Sequence, residues 1–245
     1  MKANHLEDVW VYLSASPLLW LALTLLVYAA AQHLQQRAGG HPAANPVLIS
    51  VVLLVALLGF TGTPYQRYFD GAQFVHFLLG PATVALAIPL HGHLPRLVAL
   101  WRPIVVALLA GSATAALSAY ALAGVFGASA ATMRSMAPKS VTTPIAMGIA
   151  ERIGGLPSLT AVLVILTGIL GAVCASGWLR LLRLRDDTAT GFALGIACHG
   201  IGTARAFQIS ERAGAFAALA MGLNGLVTAI ALPLLLPWLE RVLGR

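Results

Sequence analysis

The chain has 245 residues, 59% of them hydrophobic and only 9% charged, with a formal net charge of +7. A mean hydropathy of +0.85 excludes an ordinary soluble domain. The arginines are scattered over the junctions between apolar runs and form no basic stripe interleaved with aromatics, so the charge argues for anchored helix ends and against nucleic acid.

Marking every Asp, Glu, Lys and Arg leaves six long uncharged intervals, 9–36, 38–66, 71–95, 103–133, 153–179 and 213–239. A bilayer crossing needs about 20 apolar residues, so each interval holds one crossing and its turns. Glu7 and Asp8 precede the first apolar run, the wrong charge for a cleavable signal. The predicted spans are 13–31, 47–60, 73–90 (broken at Gly80, Pro81 and Pro89), 104–126, 159–182 and 215–236. No linker or soluble appendage interrupts them, so residues 1–245 read as a single transmembrane domain. The fold expected is an all-α polytopic membrane protein with about six transmembrane helices.

Two stretches between these spans are too short or too polar for a plain crossing. The first, 132–150, contains Pro138, Lys139, Ser140, Thr142, Thr143 and Pro144. The second, 188–212, contains Gly191, Gly195, His199, Gly200, Gly202, Thr203 and Arg205. Pro and Gly interrupt helices, so both stretches are predicted as interrupted or re-entrant helical segments meeting near mid-bilayer. Arg37, Arg96 and Arg102 fall on one side, and the Arg180, Arg183, Arg185 cluster joins them on the cytoplasmic side only if 132–150 returns to the face it left. The same logic lets 188–212 dip in from the cytoplasm, giving six crossings and two opposed re-entrant hairpins. The alternative is eight full crossings.

An internal repeat at an offset of 57 residues places Pro81, Thr83, Val84 and Ile88 on Pro138, Ser140, Val141 and Ile145, and Gly111 and Ala115 on Gly168 and Ala172. Repeats whose corresponding helices are interrupted point to a transporter's binding site. The candidate substrate-binding residues are therefore Lys139, Ser140, Thr142, Thr143, His199, Gly200, Gly202, Thr203 and Arg205, with Pro81 and Thr83 from the repeat. A charge in an apolar chain is costly unless paired, hydrated or used. Helices that restart present free N–H groups suited to an anion, and Arg205 offers a planar fork for a carboxylate. His199, titrating near neutral pH, is the candidate for proton coupling.

Each residue also has a plainer reading. Lys139 would snorkel from a helix end, Arg205 would mark the interface, His199 would be packed and hydrogen-bonded, and the threonines would serve helix packing. Cys174 and Cys198 lie in apolar surroundings, and His91 and His93 have too few partners, so neither a disulfide nor a metal site is expected. No nucleotide loop, dinucleotide fingerprint or hydrolytic triad is present, so the chain is expected to need no cofactor and to be no enzyme.

The runs from Pro138 to Ala146, Gly154 to Ala161, Thr167 to Gly171, His199 to Arg205 and Leu79 to Leu90 together resemble the LrgB/CidB family over roughly residues 68–237. The chain departs from that pattern at Cys198, where a small hydroxyl residue is usual, and at Ile196, where threonine is common. The resemblance implies two competing functions. One is transport of small monocarboxylates such as glycolate, glycerate or pyruvate. The other is holin/antiholin-like control of murein hydrolases and autolysis. It further implies the bacterial cytoplasmic (inner) membrane, contact with membrane lipid and an LrgA-type membrane subunit as partner. The assembly expected is a homo-oligomer, a dimer above other states.

Overall fold

Proline opens many of the helices. It stands in the first turn of the helices beginning at Pro17, Pro46, Thr143 and Pro157, where its missing N–H costs nothing and its fixed φ suits the helix. The computed structural model describes residues 16–41 and 44–242 and contains no strand among them. The helices are α1 (Pro17–Arg37), α2 (Pro46–Thr61), α3 (Tyr65–Phe77), α4 (Leu79–Ala85), α5 (Ala87–His91), α6 (Leu94–Ala99), α7 (Trp101–Val125), α8 (Ala130–Met136), α9 (Thr143–Arg152), α10 (Pro157–Leu181), α11 (Asp187–Phe207) and α12 (Glu211–Val242). Glu7 and Asp8, and the start of the first predicted span, lie outside the described residues.

Five helical runs are long and apolar enough to cross a membrane: Pro17–Arg37, Tyr65–His91, Trp101–Val125, Pro157–Ala175 and Glu211–Trp238. Pro46–Thr61 is apolar but shorter. Large hydrophobic side chains such as Phe60, Val106, Leu170 and Leu234 stand exposed along these runs, as expected where the solvent is lipid. The chain is a multi-pass membrane protein. It forms two compact units, one ending at Ala85 and the other beginning at Leu86.

In the first unit α1 packs on α2 and α3. Asn45 caps α2 by accepting from the Val47 and Leu48 amides at 2.9 and 3.1 Å, and Gly62, with φ 61, ends it. Gly71 of α3 lies against the Pro17 carbonyl and Trp20. Trp20 is fully buried, with Tyr68 edge-on at 6.0 Å. The third predicted span breaks as expected near its glycine and prolines into α3, α4 and α5. Pro81 and Thr83 fall on α4, in this unit.

The second unit has two hairpins inserted from opposite ends. α11 consists of two helical limbs that reverse at His199, whose backbone is at φ 42, ψ −133. Three contacts establish the reversal. Gly191 and Gly195 of the outgoing limb lie against the Ala213 and Ala217 carbonyls of α12, so that limb and α12 run parallel. Gly202 of the return limb lies against Leu194 and Cys198. Ser210 Oγ donates to Asp187 Oδ2 at 2.8 Å, closing the hairpin at its foot.

The first hairpin is α8, an irregular turn over residues 137–142, and α9. Its base is held where the Leu156 amide donates to Ser135 Oγ at 2.7 Å and Thr160 Oγ1 to Ser135 O at 3.1 Å. α10 runs from this base to the foot of the second hairpin, and α12 runs back. Arg134 Nη2 pairs with Glu240 Oε2 near the end of α12 at 2.8 Å, and Tyr120 Oη donates to Glu240 Oε1 at 2.8 Å. At the other end Arg96 Nη2 pairs with Asp186 Oδ2 and Arg96 Nε donates to Thr188 Oγ1, both at 2.8 Å.

A small apolar cluster joins Ala175, Leu194, Ala206, Ala213 and Ala217, and two larger ones fill the rest of this unit. One joins Ala116, Tyr120 and Ala123 of α7 to Met133, Val141, Ala146 and Ile149 of the first hairpin and Leu232 and Leu236 of α12. The other joins Ile104 and Leu108 to Phe192, Ile196, Phe216 and Ala220. Ser112 and Asn224 fall between them in sequence on α7 and α12. That layer is polar, and both tips reach it.

Candidate functional site

Breaking a helix leaves its last carbonyls without intrahelical partners, and in an apolar interior each must find another donor. The outgoing limb of α11 stops at His199, which orphans the carbonyl of Ile196. Asn224, only 1% exposed, supplies the bond: its Nδ2 donates to Ile196 O at 3.2 Å and to Ser140 O in the first hairpin's turn at 3.1 Å. Its Oδ1 accepts from Ser112 Oγ at 2.6 Å and from Thr228 Oγ1 at 3.2 Å. One amide therefore uses both donors and both lone pairs and joins α7, α12 and the two hairpin tips.

His199 is the second fixed point. The Val164 carbonyl of α10 lies 2.9 Å from Nε2. A carbonyl only accepts, so Nε2 carries the hydrogen and Nδ1 is bare in the neutral ring. The Thr203 hydroxyl donates back to His199 O at 2.9 Å. A left-handed backbone at a non-glycine residue costs of order 1–3 kcal/mol and persists only where its surroundings over-determine it. Here α10 supplies that constraint. A Cβ on Gly168 would stand 2.7 Å from His199 Cε1, and one on Gly171 would meet Cys198 Sγ. Cys198 thus directs its sulfur into the contact with α10.

Lys139 sits in the turn of the first hairpin, half-buried, and Nζ donates to Ser140 Oγ at 3.3 Å. Asn224 joins the carbonyl of the next residue, Ser140, to that of Ile196, which brings the turn of Lys139 to the second tip. Neither of the ion pairs among the described residues involves Lys139. Thr142 is the N-cap of α9 and makes no side-chain cap bond, leaving its hydroxyl available, and Thr143 follows it half-buried. Gly200 opens the return limb, so the N-termini of α9 and of that limb both start at the meeting of the tips. Helix N-termini favour negative charge.

The structure thus brings Lys139, Ser140, Thr142, Thr143, His199, Gly200 and Thr203 to one region. Gly202 packs between the limbs of its own hairpin. Arg205 is elsewhere: six residues of helix carry it about 9 Å along the return limb, and Nη1 donates to Gln208 Oε1 at 2.7 Å near the foot. Pro81 and Thr83 belong to the other unit. Sequence reasoning passed over Asn224, Ser112 and Thr228. The signal was a lone asparagine in the uncharged interval 213–239, where a polar amide is expensive unless fully bonded. It also passed over Arg134 with Glu240, which read as helix-end anchors.

No solved structure matches the chain. A protein of *Bacillus subtilis* strain 168 described as uncharacterized protein YwbG is 38% identical over 89% of this chain and 97% of its own length. The antiholin-like proteins LrgB of *Bacillus mycoides* strain KBAB4 and *Bacillus cereus* strain B4264 are each 30% identical over 91% of this chain and 97% of theirs. The model of the LrgB-like family matches residues 24–238, a stretch that contains both hairpins, Lys139, His199 and Asn224. The chain belongs to the LrgB-like family.

Proposed function

We propose that this chain is a transporter of small monocarboxylates of the glycolate, glycerate or pyruvate kind, holding the acid between the two hairpin tips, and that it is no enzyme. The observation that carries the reading is Lys139, an ammonium inside an apolar unit that takes part in neither ion pair among the described residues. Such a charge is retained where it is used. The hydroxyls of Ser140, Thr142 and Thr143 and two helix N-termini surround the same place, a donor set suited to a carboxylate with one or two further oxygens. Broken helices whose ends point at a midplane substrate are a recurring design in secondary transporters.

The second reading, a holin/antiholin-like regulator of murein hydrolase activity, is favoured by the printed names of the LrgB relatives. It gives Lys139 no task, since pore formation or partner contact uses apolar surfaces. Under either reading we place the protein in a bacterial inner membrane, with an LrgA-type subunit as partner and a homodimer as its own assembly. Uptake of labelled monocarboxylates into proteoliposomes, with and without that subunit, separates the two. Saturable uptake that one acid competes supports transport, whereas unsaturable leakage of unrelated solutes supports the regulator.

A further inference from the structure

Lys139 brings a positive charge to the tips without bringing its own counter-charge. The ion pairs among the described residues are Arg96 with Asp186 and Arg134 with Glu240, at opposite ends of the second unit. Asn224 fastens the turn that carries Lys139 to the second hairpin, whose tip carries the titratable groups Cys198 and His199. The other helices that reach the tips present neutral side chains there, Ser112 from α7, and Asn224 and Thr228 from α12. His199 Nε2 donates to Val164 O, so a second proton would settle on Nδ1, and the imidazolium would share the region of the joined tips with the Lys139 ammonium. An amine ordinarily binds its proton about four pKa units more tightly than an imidazole, so of the two Lys139 takes it.

We propose that Lys139, and not His199, carries the coupling proton, so that acid and proton cross one for one and the cycle moves no net charge. This rests on the transport reading above. On the loading side the lone pair of the neutral Lys139 amine binds H⁺, and the resulting ammonium takes the carboxylate, a neutral pair. On the other side the carboxylate leaves, the ammonium releases its proton to water, and the neutral amine returns. Both states that reorient are uncharged at this residue. A protonated, empty site would expose an isolated ammonium to the apolar interior, which slows that return by about a hundredfold.

The test uses the full chain in proteoliposomes with labelled pyruvate, glycolate and glycerate. A pH gradient is expected to drive accumulation of the acid that is taken up, with one proton entering per acid, while a potassium diffusion potential leaves the rate unchanged. Lys139→Arg, which stays charged, is expected to lose net uptake far more than exchange of internal for external acid, so that the ratio of exchange to net uptake rises about a hundredfold. His199→Gln is expected to slow transport yet keep the one-proton stoichiometry. Uptake driven by the potential, or Lys139→Arg net uptake equal to its exchange, would overturn the proposal. If Lys139→Arg supports neither mode, the wild-type charge and proton measurements decide alone. Absence of saturable uptake of any of the acids overturns the transport reading instead.

Discussion

Asn224 Nδ2 donates to the Ser140 carbonyl at 3.1 Å, tying the last helix to the turn that carries Lys139. The same amide holds Ile196 O of the other hairpin, so the relative position of the tips depends on one side chain. Asn224→Ala strands several buried polar groups and is expected to lower stability by about 1–3 kcal/mol. Ser112→Ala and Thr228→Val each leave Oδ1 one donor, and an intramembrane hydrogen bond averages about 0.6 kcal/mol. Thermal unfolding in detergent should rank Asn224→Ala well below the other two. Equal midpoints would mean that the amide does not organise the tips.

The reversal at His199 makes a second prediction. Gly168 allows α10 to approach the ring so closely that a methyl group there would lie 2.7 Å from Cε1 and 2.8 Å from Ile201 Cδ1. Overpacking of this kind costs typically about 1–3 kcal/mol. Gly168→Ala is therefore expected to lower the unfolding midpoint, whereas Gly222→Ala, with nothing within 4 Å of its added Cβ, is expected to leave it in place. Indistinguishable midpoints for the two variants would contradict the close approach of α10 to the tip.

The spans were legible because charge is excluded from them, and the interruptions because Pro138, Pro144 and the glycines around His199 concentrate there. The offset of 57 residues paired Pro81 with Pro138, but Pro81 lies in α4 of the first unit and Pro138 in the turn of the first hairpin. What was not legible was the point of reversal. The glycines at 191, 195, 200 and 202 together marked the stretch as interrupted, yet the left-handed backbone falls on a histidine that α10 clamps. That single residue decides that Arg205 travels back to the foot and away from Lys139. Pairings such as Arg134 with Glu240, 106 positions apart, leave no local trace at all.

Each hairpin is fastened outside the apolar clusters by one arginine and one carboxylate. Arg134 is forked onto Glu240, with Nε to Oε1 at 3.0 Å and Nη2 to Oε2 at 2.8 Å, and Tyr120 adds a third bond. Hydrogen bonds to charged groups are worth about 1.5–3 kcal/mol. Glu240→Gln is expected to lose stability of that order, and Tyr120→Phe less. A double variant with Arg134→Gln should cost less than the sum of the singles, since the partners share one interaction.

At the opposite end pH gives a signed prediction. Asp186 caps α11 by accepting from the Ala189 amide at 2.9 Å, and that bond, with Arg96 beside it, lowers its pKa below the ordinary carboxylate value. A depressed folded pKa means a contribution that is full above the unfolded value near about 3.9 and lost as pH falls through the lower folded value. The wild type and Asp186→Ala should therefore differ by a constant amount, about 1 kcal/mol for a lost cap, from pH 5 to 8. Their stabilities should converge only in strong acid. Convergence near neutral pH would mean that some other group governs this end.

The contrast between Lys139 and Arg205 tests the placement of the site most directly. Truncating one partner of a buried charged contact costs on the order of 2–5 kcal/mol, about thirtyfold to several-thousandfold in affinity. Lys139→Ala is expected to abolish saturable uptake while membrane insertion and yield stay near wild type, since Lys139 makes one hydrogen bond to a neutral hydroxyl and no ion pair. Arg205 stands near the foot, bonded to Gln208, so Arg205→Ala should slow uptake far less and leave the concentration for half-maximal rate nearly unchanged. Binding of unlabelled acid, read as a rise in unfolding midpoint, supplies a check independent of flux. That rise should vanish in Lys139→Ala and persist in Arg205→Ala. Were the two variants reversed in either assay, the acid would sit near the foot of the second hairpin, and the meeting of the tips at Asn224 would be a structural joint alone.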